Sequence, residues 1–404
     1  MDVDEGYQGF EVDDKYRHIA APITRFRYYG AAWLLAGYSA LQAALRDDET
    51  FTSEHDLPTG STVRVGVMTP PTAIRAVPTE VDPPDYMFYR RLLSPWFSST
   101  AVRALRPDIR RYTTWCLDQS IETGSMDLFQ DLITLVPAIT TMRLLGLPLE
   151  DSRIVAEAVH ARGDDRFDLN PAWSTLLGRI DETIAKRRAE PREDLISGLL
   201  RPGLGGRYCT DLEISEVCFA VVVGGMSTTA KLVLGALSYF GVHRSERERA
   251  RTDPDYLDGA LEEFLRYYSP VPFLCRTATR DVTIAGRHIQ EGERVAMGFG
   301  AANRDPSVFE RAHDIVPDRK PNRHLALGYG IHACVGAALG RAESSIMIEE
   351  VLRRMPDYRI TNDYEPELAG ARLTWSDRVQ RGLTVAFTPG ARSGEDFELN
   401  LNRL

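Results

Sequence analysis

The residue with the clearest chemical potential is Cys334, in the run Leu325-Ala-Leu-Gly-Tyr-Gly-Ile-His-Ala-Cys-Val-Gly-Ala-Ala-Leu-Gly-Arg341. Gly328 and Gly330 permit a tight turn that brings backbone amides near the sulfur. The helix expected after Cys334 starts close by, and its free amides and dipole favour negative charge. A cysteine in that setting is expected to have a lowered pKa and to serve as a thiolate, either nucleophile or metal ligand. Cys116, Cys209, Cys218 and Cys275 lack such a context and read as buried structural thiols. The five are far apart, odd in number and form no CxxC pair, which argues against a disulfide framework or structural zinc. It fits a reducing compartment.

A second chemical run is Gly224-Gly225-Met226-Ser227-Thr228-Thr229. It lies inside a long helical pattern that opens with a capping box, Thr210-Asp211-Leu212-Glu213, and continues to about Val242. Some thirty-two residues at 1.5 Å each give about 48 Å of helix. From Val217 to Met226 the pattern is apolar on every side, so the helix is expected at the centre of the protein. Two glycines there cost up to about 1 kcal/mol each relative to Ala. Something must approach the backbone at that point.

The elements around these runs are mostly helical. Helices are expected near 39–46, 86–97, 101–123, 126–145, 149–162, 172–190, 194–200, 243–250, 255–268 and 335–355. Short strands are expected at 31–36, between 275 and 300, and near 357–361 and 381–387. The fold class is mainly α with a small β-rich portion, one domain over 1–404. The β-rich parts lie near 25–60, 275–300 and 357–389, and the helical parts over 85–270 and 335–355. No strand–helix alternation suggests a doubly wound sheet. The stretch 52–84, rich in Pro, Gly and Thr, reads as a long loop of the functional kind.

The 404 residues carry 48 Lys+Arg against 58 Asp+Glu, a formal charge of −10. An acidic chain lacks the basic footprint of a nucleic-acid binder. Hydrophobic residues are 43% and charged residues 26%, the balance of a globular protein. The acidic N-terminus has no signal-peptide pattern, and the uncharged run Tyr28–Leu45 is punctuated by Gly37-Tyr38-Ser39. A cytoplasmic protein without a membrane partner is expected.

Gly328-x-Gly-x-His332-x-Cys334-x-Gly336 resembles the haem-binding loop of the cytochrome P450 superfamily. The resemblance runs from about residue 25 to 389, with four further motifs in order. The first is Glu263-Phe-Leu-Arg266, joined by Arg319 from Pro317-Asp-Arg-Lys320; in the family this network is structural. Second comes Val271-Pro-Phe-Leu-Cys-Arg276, where Arg276 matches a haem-propionate ligand; a planar guanidinium bonds both oxygens of a carboxylate. The third is Asp82-Pro-Pro-Asp-Tyr86-Met-Phe-Tyr-Arg90, in which Arg90 matches a second propionate arginine and Tyr86 stands where the family has His. His332 matches a further propionate partner. The fourth is Gly224–Thr229, which the resemblance makes the long I helix over haem. Gly225 there allows close approach, and Thr228 takes the place of the proton-delivering alcohol.

Two positions depart from the family. Ser227 replaces its acid, and a serine can hold a water but cannot act as a carboxylate near neutral pH. Leu327 replaces the Phe that covers the thiolate, which alters solvent access and potential.

The resemblance implies a fold, a cofactor and a reaction. The fold is that of cytochrome P450, and the cofactor is haem b with Cys334 as the iron's ligand. The expected reaction is hydroxylation or epoxidation of a hydrophobic small molecule with dioxygen. Electrons are expected from NAD(P)H through a separate ferredoxin and reductase, because the sequence carries no flavin or iron–sulfur motif. By the same resemblance the substrate is lined by the loop 56–80, the turn 161–172, and Val221, Val222, Gly225, Pro272, Phe273, Leu274, Val379 and Gln380. The short helix pair over 149–190 suggests a mouth open to bulky or carrier-bound substrates, with secondary metabolism as the setting. Ser227 keeps two rivals in view. One is a peroxide-driven or non-oxygenating haem enzyme, and the other a haem-binding recruitment module.

Overall fold

The computed structural model describes residues 19, 21–28, 31–54, 66–68, 72, 74–160, 171–361 and 382–393. The chain begins with strands β1 (Ile23–Tyr28) and β2 (Ala31–Leu35), helix α1 (Tyr38–Ala44) and β3 (Phe51–Thr52). Then come helices α2 (Asp85–Leu93) and α3 (Ser99–Asp118), β4 (Ser125–Asp127), and helices α4 (Leu135–Leu145), α5 (Ser152–Val159), α6 (Pro171–Ala189) and α7 (Leu195–Leu199). The long helix α8 (Asp211–Val242) is followed by α9 (Arg244–Thr252) and α10 (Pro254–Tyr268). Four short strands follow: β5 (Leu274–Ala278), β6 (Val282–Ile284), β7 (Arg287–Ile289) and β8 (Arg294–Met297). Helices α11 (Phe299–Ala302) and α12 (Ala337–Arg354) and strands β9 (Arg359–Ile360) and β10 (Thr384–Ala386) complete it.

The chain forms two compact units. One holds the described residues up to Met87 and Glu262–Cys334; the other holds Phe88–Leu261 and the described residues from Val335 onward. The first is built on a five-stranded sheet of order β1-β2-β8-β5-β3 with a separate β6-β7 hairpin. β2 and β8 pair in parallel, and the other neighbours are antiparallel. Trp33, Leu35, Val295 and Met297 bury one face among Leu41, Phe51 and Phe299; Phe26, Leu34, Phe273 and Cys275 bury the other. A sheet buried on both faces reads as continuous apolar runs, as Ala31–Leu35 does.

In the second unit α8 is packed by α4, α6 and α12. Its N-terminus carries the full capping box: Thr210 Oγ1 accepts from Glu213 N at 3.2 Å, and Glu213 returns a bond to Thr210 N at 2.7 Å. The helix is long and apolar enough to cross a membrane by composition, yet more than half of its apolar window is buried within the protein, as a core helix requires. The run Tyr28–Leu45 divides into β2 and α1.

The expected helix over 126–145 is three elements instead. β4 pairs with β10, then a π-helical turn spans Phe129–Ile133, then α4 begins. Asp127 causes the first break, because its Oδ1 accepts from Phe129 N at 3.0 Å and ends the strand. Pro137 accounts for the second, since a proline is tolerated only in the first turn of a helix.

Candidate functional site

The Cys334 loop is shaped by two left-handed glycines, Gly328 and Gly330, both at φ +73°. L side chains rarely adopt that conformation. At Gly330 a Cβ would also stand 2.4 Å from the Leu45 carbonyl oxygen, so any side chain there displaces backbone. Cys334 N donates to Leu327 O at 2.8 Å and closes the loop. Gly336 caps α12, which begins three residues beyond Cys334 in the chain. Cys334 is the exposed cysteine of the five; the other four are buried. Burial pushes the Cys209 thiol up to about 11 and raises those of Cys116, Cys218 and Cys275, so none of these is a thiolate at neutral pH.

Tyr86 meets His332 of this loop. Their rings lie 4.6 Å apart, and the Tyr86 hydroxyl donates to the Ile331 carbonyl. The phenol's hydrogen is therefore given to the loop backbone. His332 Nε2 lies 3.2 Å from Ser53 Oγ and 3.9 Å from Asp82 Oδ1. Arg276 on β5 is buried, and its hydrogen bond among the described residues is to the carbonyl of its own neighbour Cys275, at 3.1 Å. Burial pushes its guanidinium down to about 10, against the pull of Asp82, Cys275 and Glu80, so it is still a cation at neutral pH. A buried cation whose donors, among the described residues, meet no carboxylate oxygen suits the carboxylate of a bound group. An exposed thiol, a nearby imidazole and this guanidinium fit a thiolate-ligated haem with its propionates.

In the same unit Glu263 is enclosed. Arg266 Nε and Nη2 donate to its two oxygens at 2.8 and 2.7 Å, Arg319 Nε at 3.0 Å, Asn322 Nδ2 at 3.1 Å and Val316 N at 2.8 Å. Arg266 spends its other donors on the carbonyls of Asn303, Ala312 and Asp314 at 2.7–2.8 Å. Its five N–H groups are all used.

The second unit carries the hydroxyl run. Each side chain bonds the carbonyl four residues back: Ser227 to Val223 at 3.4 Å, Thr228 to Gly224 at 2.7 Å and Thr229 to Gly225 at 3.1 Å. Such back-bonding can bend a helix, but α8 stays α-helical throughout. The two glycines differ. A Cβ on Gly225 would stand 3.2 Å from Thr141 Oγ1, so α4 is what approaches there; a Cβ on Gly224 would meet nothing within 4 Å.

The expected lining residues divide. Val221, Pro272 and Leu274 keep some exposed surface. Val222 has none, and Phe273 is buried and packs edge-on against Phe26 at 5.3 Å. Val379, Gln380, 56–65 and 161–170 lie outside the described residues. Arg90 is half-buried in the last turn of α2. One residue was missed entirely. Glu343 on α12 is buried and lies 3.4 Å from Thr229 Oγ1. Nothing in the sequence separates it from its neighbours Glu349 and Glu350; the nearby Gly340 hints at a close helix crossing.

Comparison with known proteins agrees with these features. The family model for cytochrome P450 matches residues 235–356. A steroid C26-monooxygenase of Mycolicibacterium smegmatis is 30% identical over 387 residues, covering 94% of this chain and 93% of its own. The polyketide biosynthesis cytochrome P450 PksS of Bacillus subtilis is 30% identical, with 87% and 89% covered. Among solved structures, P450BioI in complex with a fatty-acid-ligated acyl carrier protein superposes with a TM-score of 0.78 at 28% identity, covering 93% of this chain and 97% of that one. With its loop cysteine, its buried arginine and a fold shared along nearly its whole length, the chain belongs to the cytochrome P450 family, as a monooxygenase of the bacterial type.

Proposed function

We propose that the protein hydroxylates or epoxidises a hydrophobic small molecule, free or carrier-bound, in secondary metabolism. Electrons come from NAD(P)H through a ferredoxin and its reductase. The observation that carries this reading is that one unit holds both an exposed Cys334 and a buried Arg276 that, among the described residues, has no side-chain hydrogen-bond acceptor. When bound through Cys334, haem supplies the activation of dioxygen. Arg276 and His332 hold the propionates, while Tyr86 fixes the loop through Ile331. Arg90 adds a further cation on α2.

Thr228 holds a proton-bearing hydroxyl on α8, kept in one rotamer by its bond to Gly224. Arg91 and Arg103, both exposed, with Arg90 and Arg106, give α2 and α3 a positive surface that suits an acidic ferredoxin. A carrier-bound substrate is supported by the likeness to P450BioI, which was solved with its acyl carrier protein.

The test is spectroscopic. The ferrous–carbon monoxide complex of the purified protein is expected to show the Soret band of thiolate-ligated haem, and Cys334→His to abolish it. Haem bound without that band overturns the reading. Titrating the ferric protein with terpenoid, steroid, polyketide, fatty-acyl and carrier-bound ligands then identifies the substrate class by its spin-state shift. In Thr228→Ala, product per NAD(P)H is expected to fall as hydrogen peroxide is released.

A further inference from the structure

In the first unit a single buried carboxylate clasps the entrance and the exit of one loop. Glu80 is 1% exposed. Its Oε1 accepts from Val67 N at 2.7 Å and from Met68 N at 3.3 Å, and its Oε2 accepts from Ala76 N at 2.8 Å. Both oxygens are thus spent on backbone amides of two separate segments. A chain that leaves one point and returns to it has the base of an Ω-loop. Arg75 ties the same base: its Nε donates to the Glu80 carbonyl at 3.0 Å and its Nη2 to Glu54 Oε2 at 3.1 Å. Glu54 Oε1 in turn accepts from Asp82 N at 2.8 Å.

The clasp is joined to the strand that carries Arg276. Val67 gives its N–H to Glu80, and its carbonyl accepts from Cys275 N on β5 at 2.9 Å. Arg294 Nη2 on β8 donates to the carbonyls of Gly66 and Met68 at 3.0 and 3.3 Å. The negative charge of Glu80, with that of Asp82, also opposes the burial that lowers the Arg276 guanidinium. A carboxylate that accepts from backbone N–H groups makes charge-assisted bonds, stronger than neutral ones. Glutamine in its place would turn one acceptor into an NH2 group that meets a backbone N–H, donor against donor. Val67, Ala76 and Val77 are buried, whereas Met68 and Ile74 are apolar side chains that keep some exposed surface.

We propose that Glu80 is a specificity-determining positioning residue: by holding Val67, Met68 and Ala76 against β5, it fixes Met68 and Ile74 as an apolar contact for the part of a bulky substrate remote from the iron. Glu80 makes no bond to the substrate itself. Its work is done when the chain folds, so that binding does not have to order the loop, a cost that would otherwise be taken from affinity. A small ligand at the iron is then indifferent to Glu80, and a large one is not. The inference rests on the proposed monooxygenase reading, in which the loop 56–80 lines the substrate.

The experiment compares haem-loaded wild type, Glu80→Gln and Met68→Ala. Hydrogen exchange of the Val67, Met68 and Ala76 amides is read first, because it needs no ligand. Slow exchange is expected in the wild type, and the loss of charge-assisted bonds in Glu80→Gln is expected to speed it about tenfold or more. Two azoles that ligate haem iron, imidazole and clotrimazole, are then titrated by the shift of the ferric Soret band. Clotrimazole is expected to bind several-fold more weakly to both variants, and imidazole equally to all three proteins. A merely structural Glu80 would weaken both azoles together; that result overturns the proposal, as does unchanged exchange in Glu80→Gln. If Glu80→Gln yields no haem-loaded protein, Met68→Ala decides, and clotrimazole bound as tightly as by wild type overturns the proposal. The carbon monoxide spectrum keeps the two readings apart: if wild type lacks thiolate-ligated haem, the monooxygenase reading itself has failed, whereas the exchange of the three amides is read without it.

Discussion

Glu263 and Glu343 are the same side chain, each on a helix and each closed to solvent, at 0% and 2% exposure. Around Glu263 the chain has placed two guanidinium groups, an amide and a backbone N–H, so both oxygens accept more than one bond. Around Glu343 it has placed hydroxyls and glycines, and among the described residues one oxygen has no hydrogen-bond partner. The first arrangement locks a segment of irregular backbone, because Arg266 reaches the carbonyls of Asn303, Ala312 and Asp314. The second offers its carboxyl no opposing charge, so burial keeps it protonated at neutral pH. Burial alone therefore does not decide what a carboxyl does; the charge of its neighbours does.

The contrast can be broken at its stronger end. Glu263→Gln leaves Arg266 and Arg319 buried against a neutral amide, and removing one partner of a buried pair costs about 3–5 kcal/mol. The denaturation midpoint and the yield of haem-loaded protein are expected to collapse. The matching Glu343→Gln variant is expected to behave in the opposite way, with a sign set by pH. The folded-state value of about 8 lies above the unfolded 4.5, so Glu343 favours the folded state fully below 4.5, and that advantage is lost as pH rises toward 8. The wild-type denaturant midpoint is expected to decline through this window, at most by about 1.4 kcal/mol per pH unit, and Glu343→Gln to escape the decline. Equal slopes would place charged partners around Glu343 after all.

His160 sharpens the comparison by reversing the sign. It is buried edge-on to Phe129 at 5.9 Å, with neither ring nitrogen hydrogen-bonded among the described residues, and burial lowers it from 6.5 to about 4 with Lys231 assisting. Stability is then lost as pH falls from 6.5 toward 4, and His160→Phe is expected to recover about 1–2 kcal/mol near the lower limit. Acid denaturation curves of the two proteins test this. The smallest effect belongs to Thr229→Val, which removes the donor to Glu343 Oε2: about 1 kcal/mol of stability and a further rise of the Glu343 titration, read by infrared.

Much of this was legible in advance, and for local reasons. The Thr210–Glu213 capping box, the apolar stretch from Val217 to Met226 and the glycines flanking Tyr329 are signals complete within a few residues, and α8 and the Cys334 turn follow from them. Glu343 was not legible. In Arg341-Ala-Glu-Ser-Ser-Ile-Met-Ile-Glu-Glu350 three glutamates look alike; Glu349 and Glu350 meet Arg110 of α3, while Glu343 turns into the crossing with α4 and α8. That choice is made by helix packing between distant segments. The break at Asp127 was hidden for a related reason, since β4 exists only because β10, some 260 residues later, pairs with it.

The unequal burial of the five cysteines gives the molecule a chemical address. Four thiols are sealed in the interior and held protonated, while Cys334 is exposed. A maleimide or iodoacetamide reagent should therefore add at Cys334 ahead of the other four, and a group held by that sulfur should slow the addition. The order of labelling, followed by mass, would read the burial of all five thiols in one experiment.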